Sequence, residues 1–201
     1  MFILKSNKLI VVGVFILFMT FSALGYADDV TDSITEALQY YKDGKYPDAV
    51  GSLNYAAQLI QQKKGNELRA FLPKPLSGWA ADDATTQTAA ASMFGGGIAT
   101  ERQYHKGPSS VTVQIVTDSP IMQGMMMMFS NPMFAGAEGG QLERIGSQKA
   151  IVKFDSADKR GDIKIIVANR FLVSIEGDEV AKTDLINYAK AIDYKKMATL
   201  P

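Results

Sequence analysis

The chain has 201 residues, with 21 basic against 21 acidic side chains, one histidine and no cysteine. That length suits one domain with an appended element or two small units, enough to bury a hydrophobic core. The missing cysteines exclude disulfides, c-type haem attachment, thiolate zinc sites, cysteine nucleophiles and a lipid-bearing cysteine. The balanced charge leaves no basic field of the kind that holds nucleic acid.

Residues 1–27 read as a secretion signal. Lys5 and Lys8 precede an apolar run from Leu9 to Phe21, and Gly25 and Ala27 place small residues three and one positions ahead of Asp28. An uncleaved anchor is the competing reading, because Leu9 to Leu24 approaches the roughly 20 apolar residues of a spanning helix. Thr20 and Ser22 thin that run, and Asp28 and Asp29 give no positive stop-transfer flank, which favours cleavage. The expected product is periplasmic or secreted and touches a membrane only through an uncleaved leader. It has 174 residues, 19 basic against 21 acidic.

From Asp29 to about Lys64 the spacing predicts a helical hairpin. Ile34, Ala37, Leu38 and Tyr41 recur at helical intervals, as do Ala49, Leu53, Ala56, Ala57 and Ile60. Ser33 and Glu36 suggest a capping box, Gly44 a helix end and Pro47 the first turn of the second helix. Ala49, Gly51, Ala56 and Ala57 form a ridge of small residues suited to a close neighbour. The spacing of Tyr40, Tyr41, Gly44, Tyr46, Ala49, Leu53 and Ala56 resembles the later part of a tetratricopeptide repeat, so residues 33–60 are similar to a single such hairpin. The resemblance implies peptide binding. No second copy follows, and one repeat cannot bury its own apolar face, so a hairpin docked on the rest of the chain is expected.

Leu72 to Trp79, with two prolines and a glycine, marks a boundary. Residues 80–92, rich in Ala and Thr, fit helix or strand equally. Beyond Gly95, Gly96 and Gly97 the pattern turns to β: 100–105 and 111–117 form a predicted hairpin, with a helix opening near Ser119 and Pro120. Strands follow at about 142–145, 149–154, 162–168 and 170–176, Asn169 lying in the last turn. Ile163, Ile165 and Val167 alternate with Asp162, Lys164 and Ile166, and Phe171, Val173 and Ile175 with Leu172, Ser174 and Glu176. One sheet face is therefore the more apolar, and a helix over 183–195 carries Leu185, Ala189 and Ile192 to cover it.

The predicted fold class is α+β, an N-terminal helical hairpin packed on an antiparallel β-sheet domain with an internal Met-rich helix and a C-terminal helix. The boundaries are a leader at 1–27, the hairpin at 28–71 and the sheet domain at 72–201. Over residues 72–197 the element order and the Leu-Ser-Gly-Trp79 segment resemble the PsbP, Mog1 and DcrB-like group of small α+β domains. That group includes secreted accessory and envelope proteins, which implies a non-enzymatic role.

Six of the eight methionines that follow the leader fall between Met122 and Met133. A helix apolar nearly all round should be buried on more than one side, and the expected place is between the sheet and the N-terminal hairpin, with thioethers filling irregular space. A second reading makes Met125, Met126, Met127, Met128, Phe129, Met133 and Phe134 an adaptable surface for a protein partner or apolar ligand. A third is soft-metal capture of Cu(I) by Met122, Met125 and Met126.

No catalytic residue is named and no cofactor is expected. His105, the sole histidine, ends a predicted strand, and no Ser-His-Asp or Cys-His set can be assembled around it. Asp82 and Glu101 keep a carboxylate-based enzyme formally open. Gly95 to Gly97 lacks the Lys-Ser/Thr that a phosphate loop requires. The leading expectation is an exported, non-catalytic envelope protein that binds a protein partner or apolar ligand.

Overall fold

The computed structural model describes residues 28–87, 97–130, 136 and 139–200. The expectations for the leader, for Met133 and Phe134 and for most of the glycine run lie outside the described residues.

Helix α1 spans Asp29–Lys42 and α2 spans Tyr46–Arg69. Asp28 caps α1, its carboxylate accepting from the Val30 and Thr31 amides at 2.9 and 3.3 Å, so the expected capping box at Ser33 and Glu36 is corrected. Ser33 is already inside the helix and donates to the Asp29 carbonyl at 2.7 Å. Glu36 accepts instead from the Ser52 hydroxyl of α2, at 3.0 Å. Gly44, at φ +75°, takes the left-handed conformation that turns the chain between the helices. Pro47 sits in the first turn of α2, where a missing amide costs nothing. The two helices pack through Ser33, Ala37, Ala49 and Ala56, all buried.

The strands are β1 (Ala80–Ala81), β2 (Thr85–Gln87), β3 (Ile98–Lys106), β4 (Ser109–Thr117), β5 (Gln141–Ile145), β6 (Gln148–Asp155), β7 (Arg160–Val167) and β8 (Phe171–Asp178). They form one antiparallel sheet in the order β1-β3-β4-β8-β7-β6-β5, with β2 continuing the edge that β1 begins beside β3. The ambiguous Ala/Thr stretch thus supplies two short edge strands. Among the described residues, further helices are α3 (Ile121–Ser130) between β4 and β5, then α4 (Lys182–Lys190) and α5 (Tyr194–Met197) after β8. The single terminal helix expected over 183–195 is therefore two. Ala191 ends the first, and Asp193 opens the second by accepting from the Lys196 amide at 3.0 Å.

Pairing register puts Thr100, Ile115, Val173, Ile165 and Ala150 in one row and Arg102, Val113, Ile175, Ile163 and Val152 in the next. These rows form the face that carries the main core. Leu185, Tyr188 and Ala189 of α4, Tyr194 and Met197 of α5, Leu68 at the end of α2, and Phe71, Leu72 and Trp79 cover it. Gly161 and Gly177 pair across β7 and β8, and Leu185 rests on them: a Cβ on Gly177 would lie 2.6 Å from Leu185 Cδ2. Tyr104 donates from this core to the Pro73 carbonyl at 2.6 Å, tying the 70–79 segment to the sheet.

The opposite face corrects the place expected for the Met-rich helix. Met122 and Met125 pack on Ala99, Val116 and Leu172, with Ile166 beside them, whereas the hairpin meets the sheet on the main-core face. The helix is not sandwiched against the hairpin. Its footprint includes the cross-strand pair Ile166 and Leu172, the apolar interruptions in the polar phases of β7 and β8.

Candidate functional site

Among the described residues, the main open apolar surface belongs to the hairpin. Ile34, Leu38 and Tyr41 on α1, and Tyr46, Val50, Leu53 and Ile60 on α2, are all exposed, Leu53 at 52% and Tyr41 at 63%. Their spacing alternates four and three residues, with Ala57 completing the α2 series. That is the heptad rhythm of a helix seam. The buried contact between the helices uses a second set, a little under a third of a turn away, made of Ser33, Ala37, Ala49, Ser52 and Ala56. Because α1 and α2 run antiparallel, both exposed stripes fall on the same side of the hairpin. The Tyr41 and Tyr46 rings meet at its tip, 5.8 Å apart.

Small residues explain the division. Alanine and serine let the two helix axes approach closely, so the large side chains flanking them are pushed out of the seam. Together the seven large side chains expose on the order of 800 Å², above the largest apolar patch of an ordinary monomer, about 300–600 Å². No charged residue interrupts either stripe.

A groove of mixed lining, about 520 Å³, opens at the end of α3, where Met126, Phe129 and Ile166 meet Gln148, Lys149 and Asn169. Of the segment singled out in the sequence, Met122 and Met125 are 6% and 9% exposed and pack against the sheet, Met126 and Phe129 line this groove, Met128 is half-buried, and Met127 is 64% exposed. One helix therefore divides between packing and lining. Ile166 floors the groove from β7 because it extends the patch on which α3 sits.

Asp82 and Glu101 line one shallow cleft of about 210 Å³ with Asp83, Arg102 and Thr112. Each carboxylate is engaged by a different neighbour. His105 Nε2 lies 3.0 Å from Asp82 Oδ2, and Gln114 donates to Glu101 Oε2 at 3.2 Å. Trp79 is buried, edge-on to Tyr188 with ring centroids 5.5 Å apart. Among the described residues, no group of three or more His, Asp and Glu side chains is placed to hold a metal ion, and no helix is long and apolar enough to cross a membrane.

The molecule is an α+β protein in which a helical hairpin stands on one face of an antiparallel sheet and turns an uncharged double stripe of large side chains to solvent. No family model matches the chain, and neither a curated protein nor a solved structure does.

Helical spacing groups Ile34, Leu38, Leu53 and Ile60 with Ala37, Ala49 and Ala56, whereas in the structure the first set is exposed and the second buried. The separating signal lies in α2. Its positions 46, 50, 53, 57 and 60 and its positions 49, 52 and 56 form two phases, and a helix with two apolar phases needs two partners.

Proposed function

We propose that the chain is an exported, non-catalytic binding protein that holds an amphipathic helical segment of another protein molecule on the exposed face of its α1–α2 hairpin. The observation that carries this reading is the set of large apolar side chains on the outer heptad stripes, next to a small-residue seam that already satisfies the contact between the helices. Helix-in-groove recognition reads apolar anchors at such spacing, and an uncharged centre with a polar border is the usual anatomy of an interface core. The partner surface moves accordingly from the Met-rich segment to the hairpin. The leader pattern of residues 1–27 supports an encounter in the periplasm or outside the cell, and the sheet with its C-terminal helices is the rigid base on which the hairpin stands.

The test is a photo-crosslinking amino acid at Leu53, with Tyr55 on the far side of α2 as control, in the cells that express the protein. Adducts from position 53 that map to an apolar heptad stripe of a helix, and none from position 55, support the reading. Absence of any protein adduct from position 53 overturns it.

A further inference from the structure

We infer that the occupant of the hairpin face is a second copy of the same chain, two hairpins closing face to face into an antiparallel four-helix bundle. The inference rests on the binding role proposed above and names its partner.

Three observations favour a copy over a foreign helix. The first is shape. The face is two stripes side by side, one on each helix, and two stripes are matched by two facing helices rather than by one; an antiparallel hairpin supplies both at the right separation. The second is area. The seven exposed side chains offer on the order of 800 Å², the amount each partner of a standard interface contributes. The third is charge. A two-fold axis lays a surface on itself, so any net charge on the face would meet its own sign. The stripes carry none, and Thr31, Thr35, Asn54 and Gln61 continue along their borders, with one charge, Lys42, at the tip end of the α1 border.

Side-chain size sets the alignment. Tyr41 and Tyr46 make the tip bulky, while Ile34 and Ile60 keep the base slimmer, and Leu38 and Leu53 lie between. A two-fold axis passing near Leu38 and Leu53 sets each aromatic tip against the other hairpin's aliphatic base. The bulky and slim ends then complement one another, and leucines pack on leucines at the centre.

The chain's lack of cysteine makes the test clean. In the purified full chain, sedimentation should show a dimer with a dissociation constant well below about 100 μM, a threshold of roughly −5 to −6 kcal/mol. Leu53→Lys should give a monomer with unchanged circular dichroism. Leu53→Cys should form a covalent dimer on mild oxidation and Tyr55→Cys should not. A wild-type chain that stays monomeric at that concentration, or a dimer indifferent to Leu53→Lys, overturns the inference. If crosslinks from position 53 in cells reach only a different protein, self-association fails while the binding role stands; if they reach nothing, both fail.

Discussion

Gly65 of α2 lies directly against the Thr86 side chain of β2, with no room between them for a Cβ. This close approach is what seats the hairpin on the sheet. The Gly65 carbonyl accepts from the Thr100 hydroxyl at 3.3 Å, the Thr100 and Thr86 hydroxyls are 3.0 Å apart, and Arg69 Nε donates to Thr86 at 3.0 Å. Thr86, β-branched and bonded on two sides, has little freedom to turn away.

Gly65→Ala is therefore expected to destabilise the protein. Overpacking costs about 1–3 kcal/mol, more than the roughly 0.5–1 kcal/mol alanine contributes to a helix interior. Gly51, in the same helix, has open space where a Cβ would project, with no atom within 4 Å, so Gly51→Ala should raise stability by about 0.4–1 kcal/mol. Thermal denaturation of both variants checks the contrast, and equal shifts would contradict the packing at Gly65.

Within α3, burial should separate residues of identical chemistry. Met125→Ala removes a side chain packed on Leu172 and Val116 and should cost about 2–5 kcal/mol. Met127→Ala, on the solvent side, should stay within about 0.5 kcal/mol. Urea unfolding of the two variants measures this, and a destabilising Met127→Ala would mean that Met127 is covered.

Tyr104 is fully buried and donates to the Pro73 carbonyl. Tyr104→Phe keeps the ring against Tyr188, 4.5 Å centroid to centroid, and deletes only the bond. The Pro73 carbonyl keeps a longer bond from Arg102 Nη1 at 3.5 Å, so the expected cost is that of one hydrogen bond, about 0.5–1.5 kcal/mol. Faster hydrogen exchange confined to the amides around Leu72 to Trp79 would locate the loss; global stability equal to wild type would refute it.

The buried tyrosines also set an alkaline limit. Burial pushes the Tyr104 and Tyr188 phenols up to about 12 from the usual 10.0, and burial raises Tyr194 as well. Above pH 10 the unfolded chain loses phenolic protons that the folded chain retains, so ionisation favours unfolding. The stability these groups support is complete below pH 10 and should be lost between pH 10 and about 12. Denaturant unfolding followed by far-ultraviolet circular dichroism should show the unfolding free energy falling across that window, and a constant value would exclude the mechanism.

Much of the sheet was legible because strand alternation is a local signal with a physical cause. Ile163, Ile165 and Val167 had to share a face, as did Phe171, Val173 and Ile175, and all six reach the main core. The interruptions Ile166 and Leu172 were legible too, but their meaning depends on the register that sets one against the other, which no single strand reveals. The hairpin was readable from Gly44 and Pro47. The α1 cap is masked in the sequence because Ser33 and Glu36 imitate a capping box, whereas Asp28, five residues before Ser33, satisfies the free amides with its carboxylate. The candidate site was harder: Met122 to Phe129 is conspicuous by composition, yet composition carries no direction, and half of that run packs on the sheet.

By itself the sequence determined the elements, the apolar phase of each strand, and the presence of two heptad phases on α2, since these follow from backbone geometry acting over a few residues. Only the tertiary structure decided which phase is used. Ser33, Ala37, Ala49 and Ala56 let the two helices close on the small phase, and the seat of Gly65 on Thr86 holds the pair against the sheet edge. Leu38, Leu53 and their neighbours are left facing water, because close packing between helix axes favours small side chains in a way that periodicity, identical for both phases, cannot rank.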